Sequence, residues 1–194
     1  MLRPAHCRGF TLIELLIAVT ISGVLVALGA PALGTYLQNS RVGNAAAIYL
    51  AGVQAARTAA IQRNAPVSFV LTSTPGTGDA LANGAVPNTA GVNWVVRAAS
   101  GAGFEAVDSK AGAEGEGSVQ LTANGPAGFA GVITFNGFGA TSDNQPYSIA
   151  VTNPGAGACA NTGGPIRCRL ITIAPAGKIT ACDPAAAQGD SRAC

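Results

Sequence analysis

Apolar and polar positions follow three successive patterns along this chain. From Phe10 to Leu33 nearly every position is apolar, and Glu14 is the one charge; the next is Arg41. About 20 apolar residues suffice for a helix to cross a bilayer core, so this run is long enough. The pattern then becomes amphipathic. Leu33, Leu37, Ala45, Ile48, Gly52, Ala56 and Ala59 recur at three- and four-residue steps, leaving Arg41, Gln54, Arg57 and Arg63 to face water. Asn64-Ala65-Pro66 closes the helix. Pro31 lies inside it without an N–H to give, so a kink or local loosening is expected there. Gly23, Gly29 and Gly34 leave room for close helix packing.

Beyond Pro66 the period shortens to that of strands. Strands are expected at Val67–Thr72, Val92–Arg97, Phe104–Val107, Val119–Thr122, Val132–Phe135 and Tyr147–Thr152. A final hairpin joins Arg167–Ala174 to Lys178–Cys182 across Pro175-Ala176-Gly177. The stretches 73–90 and 110–117 read as loops. A long helix followed by about seven short strands predicts an α+β domain, with the amphipathic stripe lying on a sheet. Trp94, Phe135 and Phe138 are expected to fill the core and pack turns, because aromatic burial is the default.

Composition narrows the class. The 194 residues leave room for one membrane helix and one modest domain. With 26 Gly and only 10% charged residues, the chain suits an exported, loop-rich β domain better than a cytosolic enzyme. The net charge of +2 includes Arg3 and Arg8, so the chain after Gly9 is formally neutral and carries no strong field for nucleic acid or lipid. Cys159, Cys168, Cys182 and Cys194 crowd the end of the chain and imply two disulfides in an oxidising compartment. Three pairings are open; short loops favour Cys159–Cys168 with Cys182–Cys194. A zinc site is the alternative, against which stand the lack of any C-x-x-C pair and of a His beyond His6. No metal and no cofactor is expected.

The chemistry concentrates at the start. A carboxylate one turn into an apolar helix is costly unless paired. The run Gly9-to-Leu16 resembles the leader-peptidase site of type IV pilins, and that resemblance implies cleavage before Phe10, which would free an amine near Glu14. In a bundle, Glu14 of one subunit could then meet the amine of the next and fix register, a use in which buried pairs serve specificity more reliably than stability. A plain secretory signal fits less well, since its apolar core is shorter and holds no acid.

Gly9-Phe10-Thr11-Leu12-Ile13-Glu14-Leu15-Leu16 closely resembles the leader-peptidase site of type IV pilins and type II secretion pseudopilins. The resemblance implies cutting between Gly9 and Phe10 by a prepilin peptidase, N-methylation of Phe10, an assembly role for Glu14, and other pilin subunits as partners. It divides the chain into a leader at 1–9, a transmembrane and assembly segment at 10–33, an amphipathic helix at 34–64 and a β-rich head at 65–194. The expected place is the inner membrane, crossed once, with Arg3 and Arg8 on the cytoplasmic side and the head outside.

The turns Phe135-Asn136-Gly137 and Gly177-Lys178-Ile179 resemble those of the GspH/FimT group of minor pseudopilins, which implies a β-sandwich-like head. Some members of the FimT branch bind DNA through a basic Gly-Arg-x-Arg turn near the C-terminus, which the resemblance makes a candidate role here. Here that stretch is Gly177-Lys178-Ile179-Thr180, and the candidate contacts are Arg167, Arg169 and Lys178. Three cations give a weak phosphate-neutralising term, and a solvated hairpin face is the plainer reading. No enzyme is expected. The acids Glu105, Asp108, Glu114 and Glu116 sit among glycines with no base or nucleophile matched to them, and their spacing is not that of an EF-hand.

Overall fold

A computed structural model describes residues 11–111 and 118–194. The expected cleavage site at Gly9 and Phe10 and the acids Glu114 and Glu116 lie outside them. The chain divides into two compact units, one ending at Leu37 and the other Gln38–Cys194. Helix α1 (Leu12–Arg63) contributes to both and is continuous through position 31.

In the first unit every described side chain except Thr35 is exposed. Leu12, Leu25 and Leu28 are 80%, 66% and 73% exposed.

The second unit begins with the remaining turns of α1. Their buried face is Val42, Ala45, Ala46, Tyr49, Val53, Ala56, Ala59 and Ala60. The expected stripe is corrected here: Leu33 and Leu37 are exposed, burial begins at Val42, and Tyr49 and Val53 are central to it. Gly52 shows why small residues line this face. A Cβ there would stand 2.9 Å from the Phe69 ring and 3.1 Å from Trp94. Those two rings pack against each other with centroids 5.7 Å apart.

Two four-stranded antiparallel sheets complete the unit. The first runs β3-β2-β1-β5, from β1 (Val67–Thr72), β2 (Asn93–Ser100), β3 (Gly103–Lys110) and β5 (Val132–Phe135). The second runs β4-β6-β7-β8, from β4 (Gln120–Asn124), β6 (Tyr147–Thr152), β7 (Arg169–Ile173) and β8 (Ile179–Cys182). Alternation places Phe69, Leu71, Ile133, Phe135, Ile149, Val151, Ile171 and Ile173 in one core with the helix. The architecture is the α+β class expected, with a long helix packed on antiparallel sheets.

Two elements depart from the sequence reading. The stretch 73–90 is not all loop, since helix α2 (Gly78–Gly84) forms within it. It is too short to be stable alone. Asp79 and Asn83 hold it by accepting the Ala106 and Phe104 N–H groups of β3 at 2.7 and 2.8 Å. β3 is also longer than expected, because Gly101 at φ +57° turns β2 directly into it.

Candidate functional site

Thr11 and Glu14 form a reciprocal cap at the start of α1. Glu14 Oε2 accepts the Thr11 N–H at 2.9 Å and the Thr11 hydroxyl at 2.8 Å, while the Glu14 N–H reaches back to Thr11 Oγ1 at 3.3 Å. This is a capping box, which satisfies helix donors that have no intrahelical acceptor. Both bonds to the carboxylate fall on the same oxygen. Among the described residues nothing engages Oε1, so Glu14 is held in place by Thr11 and retains capacity for a further donor. Nearly two turns on, Thr20 spends its hydroxyl on the Leu16 and Ile17 carbonyls at 3.1 and 2.9 Å. The remaining face of the segment is apolar, and Cβ atoms at Gly23, Gly29 and Gly34 would meet nothing within 4 Å.

The structure does not gather the three candidate cations. Arg169 Nη1 lies 2.6 Å and Arg167 Nη1 3.3 Å from Asp183 Oδ2. Asp183 is 1% exposed, and its other oxygen accepts the Ala185 N–H at 2.9 Å. Burial pushes this carboxyl up, but the Ala185 N–H, Arg169 and Arg167 together hold it below its ordinary value. Both arginines are thus committed to a structural acid. Lys178 stands at the other end of β7, at least ~15 Å away at ~3.3 Å per strand residue. Its turn is fixed by Gly177 at φ +82°, where a Cβ would collide with the Gly139 carbonyl.

Cys159 is bonded to Cys168 and Cys182 to Cys194, two local loops around the final hairpin. The described acids have structural partners: Glu105 pairs with Arg63, and Asp108 accepts the Ser109 N–H. Trp94 and Phe135 are core residues, at 4% and 0% exposure. Phe138 is not; it is 88% exposed. Asn136 Oδ1 accepts the N–H groups of Phe138 and Ala140, and that tight turn projects the ring outward.

Comparison with known proteins meets the same two features. The prokaryotic N-terminal methylation motif matches residues 4–30. Among solved structures, the Pseudomonas aeruginosa (strain PAO1) type IV minor pilin FimU resembles this chain in two crystal forms. The P21 form has a TM-score of 0.50 at 17% identity, covering 75% of this chain and 90% of that one. The P65 form has a TM-score of 0.48 at 20% identity, covering 72% and 90%. No curated protein matches. The chain thus carries the N-terminal methylation motif at its start and, behind it, a fold like that of a type IV minor pilin.

Proposed function

We propose that the chain is a minor subunit of a type IV pilus. In this reading it is cut between Gly9 and Phe10, methylated at Phe10, and held in the inner membrane by residues 10–33 until it is drawn into the filament. Residues 34–64 carry the head at 65–194 outside the cytoplasm.

The observation that carries the reading is the combination at the start of α1. A capped Glu14 with one open carboxylate oxygen opens a helix whose large aliphatic side chains are exposed. A soluble domain has no use for such a surface, whereas a bundle of like helices buries it. Glu14 would then accept the freed amine of an adjacent subunit, pairing two charges in an apolar bundle.

DNA binding through the head finds less support in the geometry. Arg167 and Arg169 neutralise Asp183 before any phosphate arrives, and Lys178 stands apart from them.

The experiment is filament incorporation of Glu14→Ala. The variant should reach the membrane at the normal level and be depleted about tenfold or more from sheared filaments, as loss of a buried charge partner implies. Normal incorporation would remove the assembly role given to Glu14.

A further inference from the structure

Four strands stand at the edges of the two sheets, and three of them meet a partner from this chain. Outside β3, Asn83 brackets the Phe104 peptide, accepting its N–H at 2.8 Å and donating to its carbonyl at 2.7 Å, while Asp79 takes the Ala106 N–H. Outside β5, a returning loop donates the Ser142 N–H to the Thr134 carbonyl at 2.8 Å. On β4, the Ala123 N–H reaches the Thr89 carbonyl at 2.8 Å. An unpaired edge is a template for another chain, and these contacts blunt it.

β8 differs. The Ala174 N–H bonds to the Lys178 carbonyl at 2.9 Å, which sets the phase of the ladder. By the alternation of an antiparallel pair, Thr172 with Thr180 and Leu170 with Cys182 are then the hydrogen-bonded pairs. Ile179, Ala181 and Asp183 turn their backbone groups away from β7. The Asp183 N–H is taken by the Arg192 carbonyl at 2.7 Å, where the tail runs parallel beside it at Ala193. Among the described residues, nothing takes the outward groups of Ile179 and Ala181. Ile179–Cys182 contains no charge and no proline.

The layer beneath this edge is incomplete as well. Ile171 and Ile173 are fully buried on β7, whereas their cross-strand neighbours Ala181 and Ile179 are exposed and half-buried. A groove of about 190 Å³ lies between Ala181 and the helix; Gly43, Ala46, Ala47 and Leu50 give it an apolar wall, and Arg169, Asp183 and Arg192 line it too. The volume is below the ~300–1,000 Å³ of small-molecule pockets and suits one small apolar side chain.

The geometry points to β8 as a docking edge for an extended strand of a neighbouring filament subunit. That strand adds to the ladder at Ile179 and Ala181 and lays a small apolar side chain over Gly43 and Ala47. Only another backbone offers donor and acceptor together at ladder spacing, and the groove then selects side-chain size. The inference rests on the chain being a filament subunit.

The test uses the full chain in the cells that make it. Ala181→Pro deletes one outward N–H and leaves the bonds of Thr180 and Cys182 to β7 in place, a change that edge strands tolerate. Ala181→Ser keeps the N–H. Ala181→Pro should be depleted about tenfold or more from filaments at an unchanged cellular level and head melting temperature, while Ala181→Ser incorporates normally. A photo-crosslinking residue at position 181 should capture a strand segment of another subunit, identified by peptide mass. Capture only within the same chain, or only of lipid, overturns the inference even if the proline variant misfolds. So does normal incorporation of Ala181→Pro. If wild type itself is missing from filaments, the filament reading fails and this inference with it. Wild type present with Ala181→Pro undiminished overturns the docking edge alone.

Discussion

The two parts of α1 invert the usual relation between hydrophobicity and burial. Up to Leu37 the helix carries large aliphatics such as Leu12, Ile13, Leu16, Ile17 and Leu28, and all are more than half exposed. From Gln38 onward its buried face is largely alanine, with Gly52, Val42, Val53 and Tyr49, and six of those positions are at 4% exposure or below. In the second part, small residues bring the backbone close to β1 and β2. Tyr49 adds one directional bond, donating its hydroxyl to the Val92 carbonyl at 2.6 Å. In the first part nothing among the described residues covers the large aliphatic side chains, and covering each would be worth roughly 1.5–3 kcal/mol. One helix therefore carries two kinds of surface: a face buried in its own head, and an apolar segment that the proposed membrane and filament would cover.

A charge in each part would break the comparison most sharply. Val53→Asp places an unpaired carboxylate at a fully buried position and should unfold the head, costing roughly 3–5 kcal/mol. Val24→Asp lies at an exposed position and should leave head melting unchanged while blocking membrane retention and assembly. Thermal unfolding followed by Trp94 fluorescence, beside membrane fractionation, separates the two outcomes. A Val24→Asp head as unstable as Val53→Asp would end the distinction.

Added volume gives a smaller effect in the same direction. Gly52→Val must push the Phe69 and Trp94 rings aside and should cost ~1–3 kcal/mol in urea unfolding. Gly23→Val has open space around it and should shift nothing in the head.

The least effect is expected from Asp183, which lies wholly in the second region. Its carboxyl is held below the ordinary value in the folded state. Its contribution to stability is therefore complete above the unfolded-state pKa of ~3.9 and is lost as pH falls through the lower folded value. Wild type should lose stability on acidification below about pH 4 more steeply than Asp183→Asn. Equal acid profiles in urea titrations would show that the Arg169 and Arg167 contacts contribute little.

Much of this was legible in the sequence because it rests on local signals. The Gly9-to-Leu16 motif, the apolar run and the strands β1, β5 and β6 each declare themselves within a few residues. The disulfide pairing favoured by short loops is the one present. What escaped reading depends on contacts distant in sequence. α2 exists because β3 supplies partners for Asp79 and Asn83. Arg167 and Arg169 read as free cations until the fold brings Asp183 beneath them. The helix stripe lies further along than its periodicity suggests, because alanine and glycine carry little periodic signal and Tyr49 and Val53 matter only once Phe69 and Trp94 stand opposite. Phe138 looked like core because it is aromatic; the two bonds to Asn136 Oδ1 turn it outward.

The most direct measurement is the intact mass of the protein recovered from sheared filaments. The expected species is a chain that begins at Phe10, carries one added methyl group on its amine, and contains Cys159, Cys168, Cys182 and Cys194 in oxidised form. A filament-borne chain that still retains Met1–Gly9, or a processed chain found only outside filaments, would contradict it.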